Sequence, residues 1–525
     1  MSRGSYVSFK KLFSAAWKSL LYFCCTSYVR VILKDVDERM CRKMFKLKRK
    51  PSLVLVIALS FAAVLAAGGC GGSSDGAKEA GDVEEYAVES LITSSDWTAR
   101  DETISNDITA KINSGSGEGW GWVLKRLGEM EAVAHIGNYS NGGISSIKMK
   151  YWTKNAMGML VQADAAVFIP HALVSSYKAP IIAIQHPTEV LRKNSPSKMV
   201  KYKWYDMTDS AQAQMHLAAL IARCGYIVVL PDYLGMGDNV DVHPYCQELL
   251  ADSVMDAVDA TIDVAANLKK QSTLPPAVWD EKKIMLMGFS EGGYATMITA
   301  KKMQARNDKP VTAVAALDGP YSLSGTMRDV MLTADENFSS PYFMPYVLNA
   351  YDAAYGSTIP ELKFSYSVRN DVSGYNDYPA TLQKYMDGEH TYIQINDLMR
   401  KPFEPDNYKG PSTILSAGFL ELLENQYSVV CETMEDNNSF IDWKPEMPLK
   451  MFHHVSDDLV PIGNMNEAEA AFKSAGSNKI ETESFDGYTA GVGTSMHEKA
   501  FLVAFFKGIY WLDYYGYGGR FIFQD

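Results

Sequence analysis

The residues Ile284-Met285-Leu286-Met287-Gly288-Phe289-Ser290-Glu291-Gly292-Gly293-Tyr294-Ala295 join an apolar run to a helix-forming one through a Gly-x-Ser-x-Gly pattern. Five residues alone say little, because a glycine-rich turn with a surface serine would read the same. The context says more: an apolar strand runs straight into Gly288, and a helix-forming stretch begins after Gly292. A nucleophilic serine on a strained strand-to-helix turn needs side chains two before and two after it to be nearly absent. Its hydroxyl is then held clear of a sheet at the amino end of a helix, where the partial positive charge favours a developing anion. Ser290 is therefore expected to be a nucleophile.

Such a turn needs a sheet behind it. Short apolar runs of the buried-strand type occur at 180–184, 226–230, 283–287, 311–317, 449–452 and 479–484, most of them followed by helical stretches. Helices are expected at 211–222, 253–268, 292–304 and 497–514. Alternating strand and helix argues for a mostly parallel sheet covered on both faces. Ahead of it, 131–139, 143–153 and 159–169 read as three β-rich runs separated by turn residues, an antiparallel hairpin system. Residues 86–113 read as partly helical and 119–130 as one short helix. Between Asp318 and Met447 about 130 residues rich in Tyr, Phe, Met and Asn interrupt the alternation, too long to stay structureless in a compact domain. An inserted helical cap is expected over 325–445. The core then divides into 143–324 and 446–525, with an amino-terminal helical and strand region at 86–142.

At this point the chain resembles the α/β-hydrolase superfamily, whose fold requires this strand–turn–helix order. Val229-Leu230-Pro231-Asp232-Tyr233-Leu234-Gly235-Met236-Gly237 with His243-Pro244-Tyr245, and Asp318-Gly319-Pro320-Tyr321-Ser322-Leu323, are similar to segments of secretory-lipase-like bacterial hydrolases. The resemblance covers about 145–324 and 447–515. It implies the order serine, acid, histidine. Leu449–Pro461 looks like the family's late strand and acid loop, and alignment on Val460-Pro461 makes Asp457 the acid, with Asp458 as competitor. His454 stands where the family's pattern has Gly. His497 follows the last strand and opens a helix with apolar residues at Phe501, Ala504, Phe505, Ile509 and Leu512, spaced to pack on a sheet. It is the expected base.

The resemblance also implies an oxyanion hole. One donor is the backbone amide of Glu291. The second belongs to the loop Gln185-His186-Pro187-Thr188, where Pro187 has no amide hydrogen. The amides of His186 and Thr188 or the Thr188 hydroxyl are left, with Thr188 favoured. His186, Tyr233 and Tyr321 are expected around the substrate pocket. His243 is expected to be structural.

Composition bounds the rest. The 525 residues are 47% apolar, 11% aromatic and 21% charged, which excludes a disordered or fibrous chain. Residues 1–50 hold 13 Lys and Arg against 3 Asp and Glu, so the remainder is strongly acidic, with 37 basic and 59 acidic residues. An acidic body argues against nucleic acid as a partner. The basic cluster Arg42–Lys50 precedes the uncharged run Ser52–Ala67, 16 residues against the roughly 20 a membrane-spanning helix needs. It reads as a signal peptide. Leu65-Ala66-Ala67-Gly68-Gly69-Cys70 resembles the lipobox of bacterial lipoproteins, which implies a diacylglycerol on Cys70, an exported protein anchored to a bilayer of the cell envelope, and a flexible tether over 71–85. Translation is expected to start near Met40 or Met44. Cleavage before Cys70 leaves Cys224, Cys246 and Cys431, at most one disulfide, with Cys224–Cys246 the nearest pair. No CxxC or HExxH pattern occurs, so neither a metal nor another cofactor is expected. The expected activity is hydrolysis of small-molecule carboxylic esters. The rivals are a peptidase or acylaminoacyl-type hydrolase, against which the lack of a repeated propeller pattern argues, and a non-catalytic binding protein.

Overall fold

The computed structural model describes residues 78–521, apart from 114–118, 138–139, 141–142, 172–176, 202–205, 208, 272–275, 404–406, 488–489, 491–492 and 494. The basic leader, the uncharged run and Cys70 lie outside the described residues. Among the described residues no helix is long and apolar enough to cross a membrane.

The strands are β1 Val83–Ile92, β2 Ile144–Lys154, β3 Leu160–Pro170, β4 Lys178–Gln185, β5 Ile227–Pro231, β6 Val278–Phe289, β7 Val311–Leu317, β8 Leu449–His454 and β9 Ile480–Phe485. They form one sheet in the order β1-β2-β3-β5-β4-β6-β7-β8-β9. The pairs β1–β2, β2–β3 and β3–β5 are antiparallel. From β5 through β4 to β9 every pair is parallel. The carboxyl ends of β4, β6, β7 and β8 therefore lie side by side along one edge.

Two buried clusters take alternate residues of the central strands, as a period of two demands. On β6, Ile284 and Leu286 join one cluster, while Met285, Met287 and Phe289 join the other. Val314 and Ala316 of β7 follow the first pair, Ala315 and Leu317 the second. Helices Leu249–Gln271 and Glu291–Arg306 contribute to the first cluster, and Ser210–Arg223 and Met496–Tyr517 to the second. A sheet covered on both faces explains why these strands read as continuous apolar runs.

The amino-terminal region departs from the sequence reading. Residues 131–139, expected as a strand, lie largely within the helix Gly119–Gly137. The reason is in the spacing: Leu127, Met130 and Ala134 recur at three and four residues and are buried together. The strand that pairs with β2 is instead β1, which begins at Val83 inside the stretch read as tether. Its residues are mostly exposed, and the edge position with three glutamates leaves it little apolar signal. The helix Ser94–Asn113 then follows.

The long interval between β7 and β8 is helical, with Phe343–Tyr355, Tyr392–Arg400, Ala417–Glu424 and Val429–Asp436 as its larger elements. Met344, Leu348, Leu398, Phe419 and Leu423 bury into the first cluster, so the insert shares its core with the sheet face below it.

The last helix approaches the sheet closely at Gly508. A Cβ there would lie 2.9 Å from the Met287 sulfur and 3.1 Å from a Leu317 methyl. Gly508→Leu should lower stability by about 1–3 kcal/mol through overpacking, with the midpoint of urea unfolding as the measurement.

Candidate active site

The turn between β6 and the helix Glu291–Arg306 is set by contacts a side chain would not survive. A Cβ on Gly288 would meet the Gly292 carbonyl oxygen at 2.3 Å, and one on Gly292 would meet the Gln185 oxygen at 2.1 Å. Ser290 between them has φ 60° and ψ −123°, a conformation costly for a residue with a side chain. Its amide donates to the Leu317 carbonyl at 2.9 Å, which ties the turn to the end of β7. Ser290 is only 5% exposed yet lines a cavity beneath the insert. Glu291 occupies the first helical position, where a backbone N–H has no acceptor within its own helix.

Asp457 and His497, the expected acid and base, come from the far side of β7. His497 lies in the first turn of the helix Met496–Tyr517, whose start is fixed by a reciprocal Ser495–Glu498 capping box. Its Nδ1 donates to Asp457 Oδ2 at 2.6 Å. Asp457 Oδ1 accepts the amides of Leu459 at 3.0 Å and Val460 at 2.8 Å. Asp458 does something else: its Oδ1 accepts the amides of Met496 at 2.9 Å and His497 at 3.3 Å, which ties the acid loop to the start of the last helix. Adjacent aspartates thus divide orientation of the imidazole from placement of its backbone. His497 Nε2 is buried with no hydrogen-bond partner among the described residues, and the ring of Phe289, next to the serine, lies 4.7 Å away.

The electrostatics follow from burial and pairing. Burial opposes charge on His497, but the Asp457 carboxylate and its hydrogen bond outweigh it and hold the imidazole above its ordinary pKa. Burial likewise opposes charge on Asp457, and His497, His453 and the Val460 amide overcome it, so the carboxyl sits below its usual range. Desolvation brings His453 down to about 4, and its Nε2 donates to the Val460 carbonyl at 2.7 Å. His454 closes β8 without a positive φ, so a side chain fits where the resembled pattern has glycine.

The loop after β4 is held from below. His186 faces the Asp232 carbonyl through Nε2 at 3.1 Å, and the Tyr233 hydroxyl donates to the His186 carbonyl at 3.1 Å. The two rings lie 4.2 Å apart. Asp232 accepts the Ser197 amide at 2.8 Å, and burial with the Asp164 charge brings it up to about 7. A Cβ on Gly237 would meet its Oδ2 at 2.2 Å, which explains that glycine. The Thr188 hydroxyl lies 3.0 Å from the Tyr245 hydroxyl and, with His186, borders a small polar recess.

Three expectations for the pocket need correction. Tyr233 and Tyr321 are fully buried and do not line the cavity at Ser290. Tyr233 has φ 66° and supports the His186 loop, while Tyr321 packs against Gly319. His186 borders the polar recess instead. The cavity's walls include Tyr245 and Leu323 from the two resembled segments, and Cys246, Met327, Phe343 and Met344, which no pattern singled out. Cys246 and Cys224 are both buried free thiols, so the nearest-pair disulfide does not form. Cys224 instead donates to the Met130 carbonyl at 3.4 Å.

Two buried groups escaped the sequence reading. The Glu291 side chain accepts from His243 Nε2 at 2.6 Å, and His243 Nδ1 faces the Leu234 carbonyl at 2.9 Å. Burial opposes charge on His243, but Glu291 more than offsets it and holds its pKa above normal. Asp318, at the end of β7, accepts the His454 amide at 2.7 Å. The only available signal was its place at a strand's carboxyl end. Among the described residues, Asp318, His453 and Asp457 form the one group of three ligand-type side chains whose atoms lie within 4.8 Å of one another. Asp457 is already engaged by His497, so this closeness is packing behind the imidazole.

No family model matches the chain. It is 22% identical over 356 residues to Lipase 10 of Candida albicans, covering 64% of this chain and 68% of that protein. The rice cell wall degrading esterase LipA of Xanthomonas oryzae matches in structure with a TM-score of 0.59 at 21% identity, over 82% of this chain and 96% of LipA. A ligand-bound form of the same esterase gives a TM-score of 0.57 at 20% identity, over 82% and 96%. With the strand order and the turn at Ser290, these likenesses define the fold class: the chain has the α/β-hydrolase fold.

Because the His497 pKa is raised, any reaction in which its neutral imidazole takes up a proton should slow as pH drops through a value above about 6.5, the ordinary histidine value. The pH profile of kcat/KM reads this limb directly.

Proposed function

We propose that the chain is a secreted, lipid-anchored serine hydrolase that cleaves carboxylic esters bearing an apolar acyl group. The observation that carries the reading is the Asp457–His497 contact, whose unpartnered Nε2 is buried beside the turn that presents Ser290. His497 takes the Ser290 proton as Oγ attacks the acyl carbon, and Asp457 orients the imidazole and stabilises its cation. The amide of Glu291 and a donor on Thr188 hold the oxyanion. His497 returns the proton to the leaving alcohol, and water, activated in the same way, resolves the acyl-enzyme.

The cavity at Ser290 supports the apolar preference. Its lining includes Leu323, Met327, Val330, Met331, Phe338 and Val347. It offers about 60 Å³, little room, which favours a short acyl group. The fluorophosphonate-reactive group should be Ser290, with Ser290→Ala unlabelled and its turnover down roughly 10⁶-fold. On a panel of p-nitrophenyl esters, short apolar acyl groups should be preferred; a strict preference for charged acyl groups would count against the assignment.

The anchor rests on the basic flank, the uncharged run and the small residues before Cys70. It places the enzyme on a membrane of the bacterial cell envelope. Cys70→Ser should move the protein from the membrane to the aqueous fraction, read by phase partition.

A further inference from the structure

Asp318 is a buried titratable group that the mechanism above leaves unused and whose charge bears on His497. It directly follows β7, and β7 pairs with the acid-bearing β8 through Leu317 and Phe452. The residue is fully buried and has φ 43°. Its amide donates to the Phe452 carbonyl at 2.9 Å, and its Oδ1 accepts the His454 amide at 2.7 Å. No donor among the described residues reaches its Oδ2. That carboxyl and the Asp457 carboxyl belong to the group whose atoms lie within 4.8 Å of one another.

Two buried carboxylates this close cannot both stay ionised without compensation. Asp457 accepts three N–H groups, from Leu459, Val460 and His497. Asp318 accepts one, so the shared proton belongs on Asp318. Burial first, and the Asp457 charge second, push the Asp318 pKa well above the carboxylate range. The titratable groups around it are His453, His454 and Asp457 from β8 and its loop, His497 from the last helix, and Tyr321 from its own loop. If Asp457 loses its charge, the second of these causes goes; burial remains, and the His497 cation is the charge that opposes it and favours ionisation of Asp318.

We propose that Asp318 is a reserve acid of the triad: it carries the proton of the Asp318–Asp457 pair, and on loss of the Asp457 charge it places a carboxylate beside His497 that supports the imidazolium. Its proton then leaves to solvent, while the proton path from Ser290 through His497 to the leaving alcohol is unchanged. Asp318 is a positioning residue, acting through Asp457 and His497 without touching substrate. The inference rests on the Ser290–Asp457–His497 reading above.

A double-mutant cycle on the full chain tests it, with p-nitrophenyl ester kcat and its pH profile measured for D318N, D457N and the double variant, each checked for cooperative thermal unfolding. Loss of a triad acid without a substitute costs about 10⁴-fold. We expect D457N to lose only about 10²-fold, D318N about 3- to 10-fold, and the double variant about 10⁴-fold or more, exceeding the product of the singles. The acid limb of D457N should lie above that of the double variant, because a carboxylate still faces the imidazole; a purely structural Asp318 would leave the two limbs together. D457N as slow as the double variant, or losses that simply multiply, would overturn the role of Asp318. Should the Asn pair not fold, Asp318→Ser with D457N gives the same comparison. Absence of Ser290-dependent ester hydrolysis in the unaltered protein would defeat the proposed function itself, and so separates the two failures.

Discussion

Ser290 sits at a positive φ between a strand and a helix that have almost no room between them. The rest of the architecture answers to that constraint. The turn closes only because Gly288 and Gly292 let backbone approach backbone, with the Gln185 oxygen pressed into the same space. Gln185 ends β4, so the strand beside β6 fixes both the turn and the start of the loop that carries His186 and Thr188. The Ser290 amide is anchored in turn to Leu317 at the end of β7. A strained residue persists where its surroundings over-determine it, and here two neighbouring strands and one helix do so.

The parallel half of the sheet brings the remaining chemistry to the same edge. β6, β7 and β8 are consecutive neighbours, so Asp318 lies one strand spacing from Ser290 and from the Asp457 loop, and Ser290 and Asp457 lie two spacings apart although 167 positions separate them in sequence. Two adjacent aspartates then take different tasks. Asp457 points at the imidazole, while Asp458 ties the backbone of the last helix to the acid loop. The ring is thus oriented through its side chain and placed through its main chain by consecutive residues. The buried Glu291–His243 pair performs a comparable service on the opposite flank, tying the residue after Ser290 to the loop after β5.

The insert between β7 and β8 decides what reaches the serine. It is rooted in the same apolar cluster as the sheet face beneath it, which makes its position a matter of packing. The cavity it encloses is walled by Met, Phe, Leu and Val, with Ser290 as a polar group in the lining. A site of this composition favours burial of an apolar group next to the Ser290 hydroxyl.

Much of this was legible in the sequence, for reasons specific to each element. The central strands were readable because burial on both faces makes them continuous apolar runs, as at Met285–Met287 and Val314–Leu317. The serine turn was readable because its steric demand falls on fixed neighbours, Gly288 and Gly292. The stretch at 131–139 taken alone shows the Val, His and Ile of a strand; its helical spacing emerges only when Ala134 is counted with Leu127 and Met130 ahead of it. β1 was missed because an exposed, charged edge strand has no apolar pattern to show. Tyr233 and Tyr321 illustrate the same limit at the site, since a sequence gives a residue's loop but not the side on which its ring is buried. The sequence by itself determined which residue types stand at the ends of which strands, because local sterics and periodicity act over a few residues. The tertiary structure alone decided that Asp318 lies behind Asp457, that Asp458 holds the last helix, and that the insert's methionines and aromatics face Ser290, because those relations depend on strand order and on which faces meet across long stretches of chain.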